Sequence, residues 1–202
     1  FWLAEGHNRI ARGTFYDMQL TGDVTLEADS SFVFNNDNWY GGIFDGQGHA
    51  LTIEFTEAPE GASLFPRLQG TVRNLVMHGN ISGSSKNYCS IVHKPQAATA
   101  RIENVYSDVN ISTTLAGDAT NGGFVAVASS KIILDNCIYN GTLAGANGTT
   151  NCGGLIGWCS DNVYVTNCAF TGQIDDITDD NHSIGRNPSR LVMKNTYYVN
   201  AY

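Results

Sequence analysis

Proline is scarce in this chain, 4 in 202 residues, and charged side chains make up only 15%. Disorder needs low hydrophobicity combined with high charge, and a chain that is 42% hydrophobic does not fit that description. A cationic excess is missing too. Lys and Arg number 11 against 19 Asp and Glu, a net charge of −8, so neither nucleic acid nor an anionic membrane is an expected partner, since both need Lys/Arg surfaces. No run approaches the ~18 apolar residues of a membrane span, which argues against membrane insertion. No C-x-x-C pair has the spacing of a zinc site, and there is no phosphate loop and no recognisable Ser/His/Asp or Cys/His nucleophile set. The chain opens at Phe1-Trp2 with neither Met nor a signal peptide, as expected of a mature form or of a piece of a longer protein carrying further domains.

What is present is a repeat. Asn74, Asn104, Asn136, Asn167 and Asn195 recur at intervals of about thirty residues. Two residues before each stands an apolar side chain (Val72, Ile102, Leu134, Val165, Met193), and seven after it another (Ile81, Ile111, Leu143, Ile174, Tyr202). Fixed apolar offsets around a recurring polar residue mark stacked units, none of which buries its own apolar face alone. After each Asn the pattern alternates. Cys137, Tyr139, Gly141 and Leu143 share one face and Ile138, Asn140 and Thr142 the other; Cys168, Phe170, Gly172 and Ile174 oppose Ala169, Thr171 and Gln173. Period two is a strand signal.

A second phrase precedes each Asn, as in Gly122-Gly123-Phe124-Val125, Gly153-Gly154-Leu155-Ile156 and His182-Ser183-Ile184-Gly185. Small residues before apolar ones suggest a strand whose backbone passes close to its neighbours. Each unit then holds three short strands and no helix. Parallel stacking of such units gives an all-β fold, a single-stranded right-handed parallel β-helix (solenoid) of about five to six coils. Residues 1–22 are expected to form an N-terminal cap, with a short helix or turn over 4–13, and residues 23–202 the repeats. The Asn is placed at the bend between strands, its amide pairing with the next coil and satisfying groups the bend would otherwise bury.

The five cysteines leave at least one unpaired in a monomer. Cys137 and Cys168, each one residue after a ladder Asn, should stack at ~4.8 Å, a spacing that tolerates a disulfide without requiring one; two buried, reduced thiols are the expected state. Asn80, Asn110, Asn140 and Asn147 begin N-x-[ST] sequons, but three fall on outward positions where polar residues are expected anyway.

The stretch Phe44-Asp45-Gly46-Gln47-Gly48-His49-Ala50-Leu51-Thr52-Ile53, with the Gly153-Gly154-Leu155-Ile156-Gly157 and Val165-Thr166-Asn167-Cys168 phrases, resembles the GLUG-motif repeat proteins, secreted or surface β-helix modules of bacteria. It is also similar to the β-helical region N-terminal to the protease domain of streptococcal immunoglobulin A1 metallopeptidases. The likeness spans roughly residues 14 to 200. It implies an extracellular bacterial setting and a scaffold more than an activity. Cys89-Ser90-Ile91 departs from the usual Gly-Gly-Leu of the motif, as does His182-Ser183-Ile184.

Three functions fit these features: an adhesive or glycan-interacting module without catalysis of its own, a polysaccharide-active hydrolase or lyase or its accessory domain, and a structural spacer in a surface protein. For the first, the outward stripe Val76, Tyr106, Ile138, Ala169 and Tyr197 suits a glycan or a host or cell-surface protein. Trp39, Tyr40 and Trp158 are further candidates for sugar stacking, with a core or cap role as the alternative. For the second, Asp45 and His49 lie in a Gly-rich turn, though Asp in such a turn ordinarily bonds its own backbone. Asp175, Asp176, Asp179 and Asp180 offer hard oxygen ligands for Ca²⁺ but lack the spacing of a known calcium loop. No other cofactor is implied.

Overall fold

The computed structural model describes residues 16–28, 39–96, 99–146 and 148–202. The 4–13 helix or turn and the Asn147 sequon lie outside these residues. The chain winds as a parallel β-solenoid of about six turns. The described strands form one 15-stranded sheet running through the bend, a 4-stranded sheet (Phe65–Leu68, Val92–Pro95, Val125–Ala128, Ile156–Cys159) and a 3-stranded sheet (Gly117–Gly122, Thr149–Gly153, Asn181–His182). Among the described residues the first strand is Met18–Gln19, which pairs in parallel with Ile43–Asp45. Part of the stretch expected as a cap is therefore already first coil.

Register follows the apolar offsets. Phe44, Val72, Ile102, Leu134, Val165 and Met193 form one column, and all but the last are buried. Met193 is 52% exposed, because its coil has a strand neighbour on one side only among the described residues. The same holds for Tyr198, which pairs with fully buried Phe170 yet is itself 54% exposed.

The close passage expected at the Gly-Gly phrase is real at Gly123 and Gly154. A Cβ on either would fall within 2.6–2.7 Å of the Tyr139 or Phe170 ring and closer still to a backbone oxygen. Ser90 takes the matching place one coil earlier, its hydroxyl donating to Gly123 O at 2.6 Å. Ser107 there occupies the position of Tyr139. A small residue opposite makes room for the serine, which is how the departure from Gly-Gly is absorbed.

The asparagine ladder is present, for a different reason than the sequence suggested. All five residues have positive φ, from 48 to 55°, a region that L side chains other than Asn and Asp seldom enter. Asn104, Asn136, Asn167 and Asn195 are exposed, so burial of unpaired bend groups is not their role. Their Nδ2 groups donate toward the preceding coil: Asn136 to Asn104 (2.8 Å), Asn104 to Asn74 (3.2 Å) and Asn74 to the Asp45 carboxylate (3.0 Å). A second run starts afresh, with Asn195 donating to Asn167 and Asn167 to Asp135, both at 3.1 Å. Each run ends on a carboxylate.

All five cysteines are buried and free. Cys137 and Cys168 precede the paired residues Ile138 and Ala169 and so face the core one above the other. Burial pushes the Cys137 thiol well above its ordinary pKa and raises Cys152 and Cys159 to about 12.

Candidate functional site

The outward stripe is built by register alone. Ala50, Val76, Tyr106, Ile138, Ala169 and Tyr197 stand in one column across six coils. Because side chains alternate faces along a strand, the next outward column holds His78, Asp108, Asn140 and Thr171, and these are bonded to one another or to the stripe. His78 Nδ1 lies 2.7 Å from Asp108 Oδ1, and Asn140 Nδ2 donates to the Tyr106 hydroxyl at 3.4 Å. Thr171 Oγ1 donates to Asn140 Oδ1 at 2.8 Å. The Tyr106 ring meets the His78 ring edge-on at 6.4 Å. Tyr197, at 67% exposed, has the most accessible ring of the stripe. The result is a shallow face with an apolar and aromatic lane beside a hydrogen-bonding lane.

The other aromatic candidates lie elsewhere. Tyr40 is 1% exposed, its ring stacked on Phe65 at 5.3 Å and its hydroxyl 2.7 and 2.8 Å from the carbonyl oxygens of Tyr16 and Ile43. It is a core residue, and no sugar reaches it. Trp39, beside it, is half-buried. Trp158 belongs to the 4-stranded sheet, in register with Val127, and the Arg186 guanidinium lies over its ring at 4.9 Å. The five aromatics do not converge.

Nor do the four aspartates. Asp180 is engaged by Arg186 Nη2 and Nε at 2.6 and 2.7 Å and by His182 Nε2 at 3.1 Å. Burial works to raise its pKa, but the Arg186 and His182 contacts win and hold it below the usual carboxylate range. Asp179 caps its neighbour, its Oδ1 accepting from Asp180 N. Among the described residues no three His, Cys, Asp or Glu side chains gather around a point that a metal ion could occupy. The calcium expectation for Asp175, Asp176, Asp179 and Asp180 thus lacks an assembled ligand set: the loop is braced by an arginine.

Arg186 was not legible in the repeat. It is buried, and its Nη1 reaches Thr120 Oγ1 at 3.3 Å and Gly157 O at 3.5 Å. Register with Ile156–Gly185 sets it opposite Gly157, where a Cβ would fall 2.6 Å from the Thr120 and Ala126 carbonyl oxygens. A residue used once leaves no periodic trace.

Asp45 and His49, the catalytic candidates, do not form a pair. His49 Nδ1 is 3.4 Å from Asp23 Oδ1. The Asp45 carboxylate accepts from Gln47 N, Asn74 Nδ2 and Arg73 Nε at 2.8–3.0 Å. Desolvation raises its pKa and these donors more than offset it, so the group stays ionised and makes a poor proton donor. Its role is to terminate the ladder.

Neither a comparison with protein-family models nor one with curated proteins returns a match. Among solved structures, the chain is similar to a Bacteroides ovatus protein described as a "putative immunoglobulin A1 protease". They share 16% identity and a TM-score of 0.68, over 95% of this chain and 71% of that one. At that identity the likeness establishes the solenoid fold and nothing of the chemistry. No helix among the described residues is long and apolar enough to cross a membrane.

Proposed function

We propose that the chain is a recognition module of an extracellular bacterial protein, of the GLUG-repeat kind, which binds a neutral glycan along its outward stripe and performs no catalysis itself. The observation that supports this reading best is the alignment of Tyr106 and Tyr197 with Val76, Ile138 and Ala169 beside the bonded His78–Asp108–Asn140–Thr171 lane. Aromatic faces take the C–H side of a sugar ring, while amide, carboxylate and imidazole groups take its hydroxyls. The net charge of −8 favours neutral over anionic glycans. A flat face buries little ligand, so affinity should be weak for single sugars and gain from repeated contacts along a polymer.

The test pairs a glycan array with a reducing-sugar release assay on the same polysaccharides. Binding without release supports the module. Release of product that is abolished by Asp45→Asn or by Asp179→Asn would establish the enzyme reading instead, and silence in both assays would favour a spacer.

A further inference from the structure

The first coils carry a concavity that the repeat pattern does not announce. On the outer side of the strands before the bend, Asp17, Gln19, Ile43, Asp45, Gln47 and Arg73 line a groove of about 260 Å³. Gln19, Asp45 and Arg73 stack in one column, and Ile43 N donates to Asp17 Oδ1 at 2.8 Å. Gln47, at φ 53° in the Asp45–His49 turn, lines the side toward the bend.

We propose that this groove binds a single neutral sugar ring, the end unit of a glycan; the inference deepens the recognition reading while placing a ligand away from the stripe. Several features support it. The volume lies below that of pockets for drug-sized ligands, ~300–1,000 Å³, and suits one ring. Ile43 offers an apolar contact among polar groups. The Asp45 carboxylate is buried and fixed by three donors, so it costs little to organise when a hydroxyl approaches. Arg73 spends its Nε–H on Asp45, leaving its terminal N–H groups as donors, and the amides of Gln19 and Gln47 both donate and accept. Charge argues for neutrality. Arg73 balances Asp45, and Asp17 leaves the groove with one negative charge that repels carboxylated or sulfated sugars.

The experiment is an NMR titration of the whole chain with methyl glucoside, methyl galactoside and N-acetylglucosamine, with glucuronate and calcium chloride as comparators. Saturable shifts at the Ile43, Gln47 and Arg73 amides are expected with at least one of the three neutral sugars, at a Kd in the millimolar range. Asp17→Asn keeps the acceptor for Ile43 N but removes the charge that repels anionic sugars, and should raise the glucuronate response threefold or more relative to that of the neutral sugars. Arg73→Lys loses the terminal guanidinium donors and should weaken the neutral-sugar response threefold or more. The inference is overturned if none of the three sugars gives a saturable shift at the groove, or if calcium or glucuronate gives the stronger one. Shifts confined to Tyr106 and Tyr197 would also overturn it while leaving the recognition reading intact. A groove that binds in a chain silent on the array would keep the inference and remove the stripe.

Discussion

Replacing Asn136 separates two explanations of the ladder. Its backbone sits at φ 54° and its side chain donates one exposed hydrogen bond, to Asn104 Oδ1. Forcing an ordinary L residue into this conformation costs ~1–2 kcal/mol, whereas a solvent-exposed amide bond contributes at most ~0.5–1 kcal/mol. Asn136→Ala incurs both losses and should destabilise the fold by about 1.5–3 kcal/mol. Asn136→Gly loses the bond but adopts positive φ freely, and its extra unfolded-state entropy adds back only ~0.5–1 kcal/mol. Glycine should therefore be milder than alanine by roughly 1 kcal/mol. In urea, with a slope near ~2 kcal/mol/M, that difference separates the two midpoints by about 0.5 M. Trp158 fluorescence reports the transition. Equal midpoints for the two variants would mean that the amide ladder, not the backbone, selects asparagine.

Four further outcomes can be checked. Asn140→Ala, which loses two exposed side-chain bonds but sits outside the positive-φ region, should cost ~1 kcal/mol or less in the same melts, below Asn136→Ala. Gly154→Ala should cost more than ~2 kcal/mol, and a double-mutant cycle with Phe170→Ala should show coupling, since the added methyl meets that ring. Thiol labelling at pH 8, read by mass, should leave Cys137, Cys152 and Cys159 unmodified until denaturant is added; burial keeps them protonated and covered. His93 is buried, and desolvation, helped by Lys94 and Arg67, lowers its pKa from 6.5 to about 3. Between those values the unfolded chain binds a proton that the folded chain does not, so stability should fall with falling pH by up to ~1.4 kcal/mol per unit. His93→Leu should flatten that slope between urea melts at pH 7 and pH 4.5.

What could be read from the sequence was whatever recurs. The inward set Cys137, Tyr139, Gly141 and Leu143 and the outward set Ile138, Asn140 and Thr142 fall where period two puts them, because each coil repeats the same constraint. The Asn column was equally visible, but its cause was not: a backbone angle leaves the same trace in a sequence as a buried bond. Features used once were hidden. Tyr40, beside Trp39, suited a stacking platform and a core role equally well, and closure of the second coil over Tyr16 and Phe65 decides for the core. Compensation between Ser90 and Ser107, and the reach of Arg186 to Thr120, join residues distant in the sequence. Neither has a local signature. The groove at Asp17 and Arg73 is of the same kind, assembled from three coils.

The most direct test of the recognition account compares the wild-type chain with a Tyr106→Ala/Tyr197→Ala variant on one glycan array. Both side chains project from the outer face, Tyr197 well exposed, and their removal should leave the stability read from urea melts within ~0.5 kcal/mol of wild type. The account expects neutral polysaccharides to be bound by the wild type and the signal to fall at least tenfold in the variant. Undiminished binding by a folded variant would contradict it, as would a wild-type chain that retains only anionic glycans.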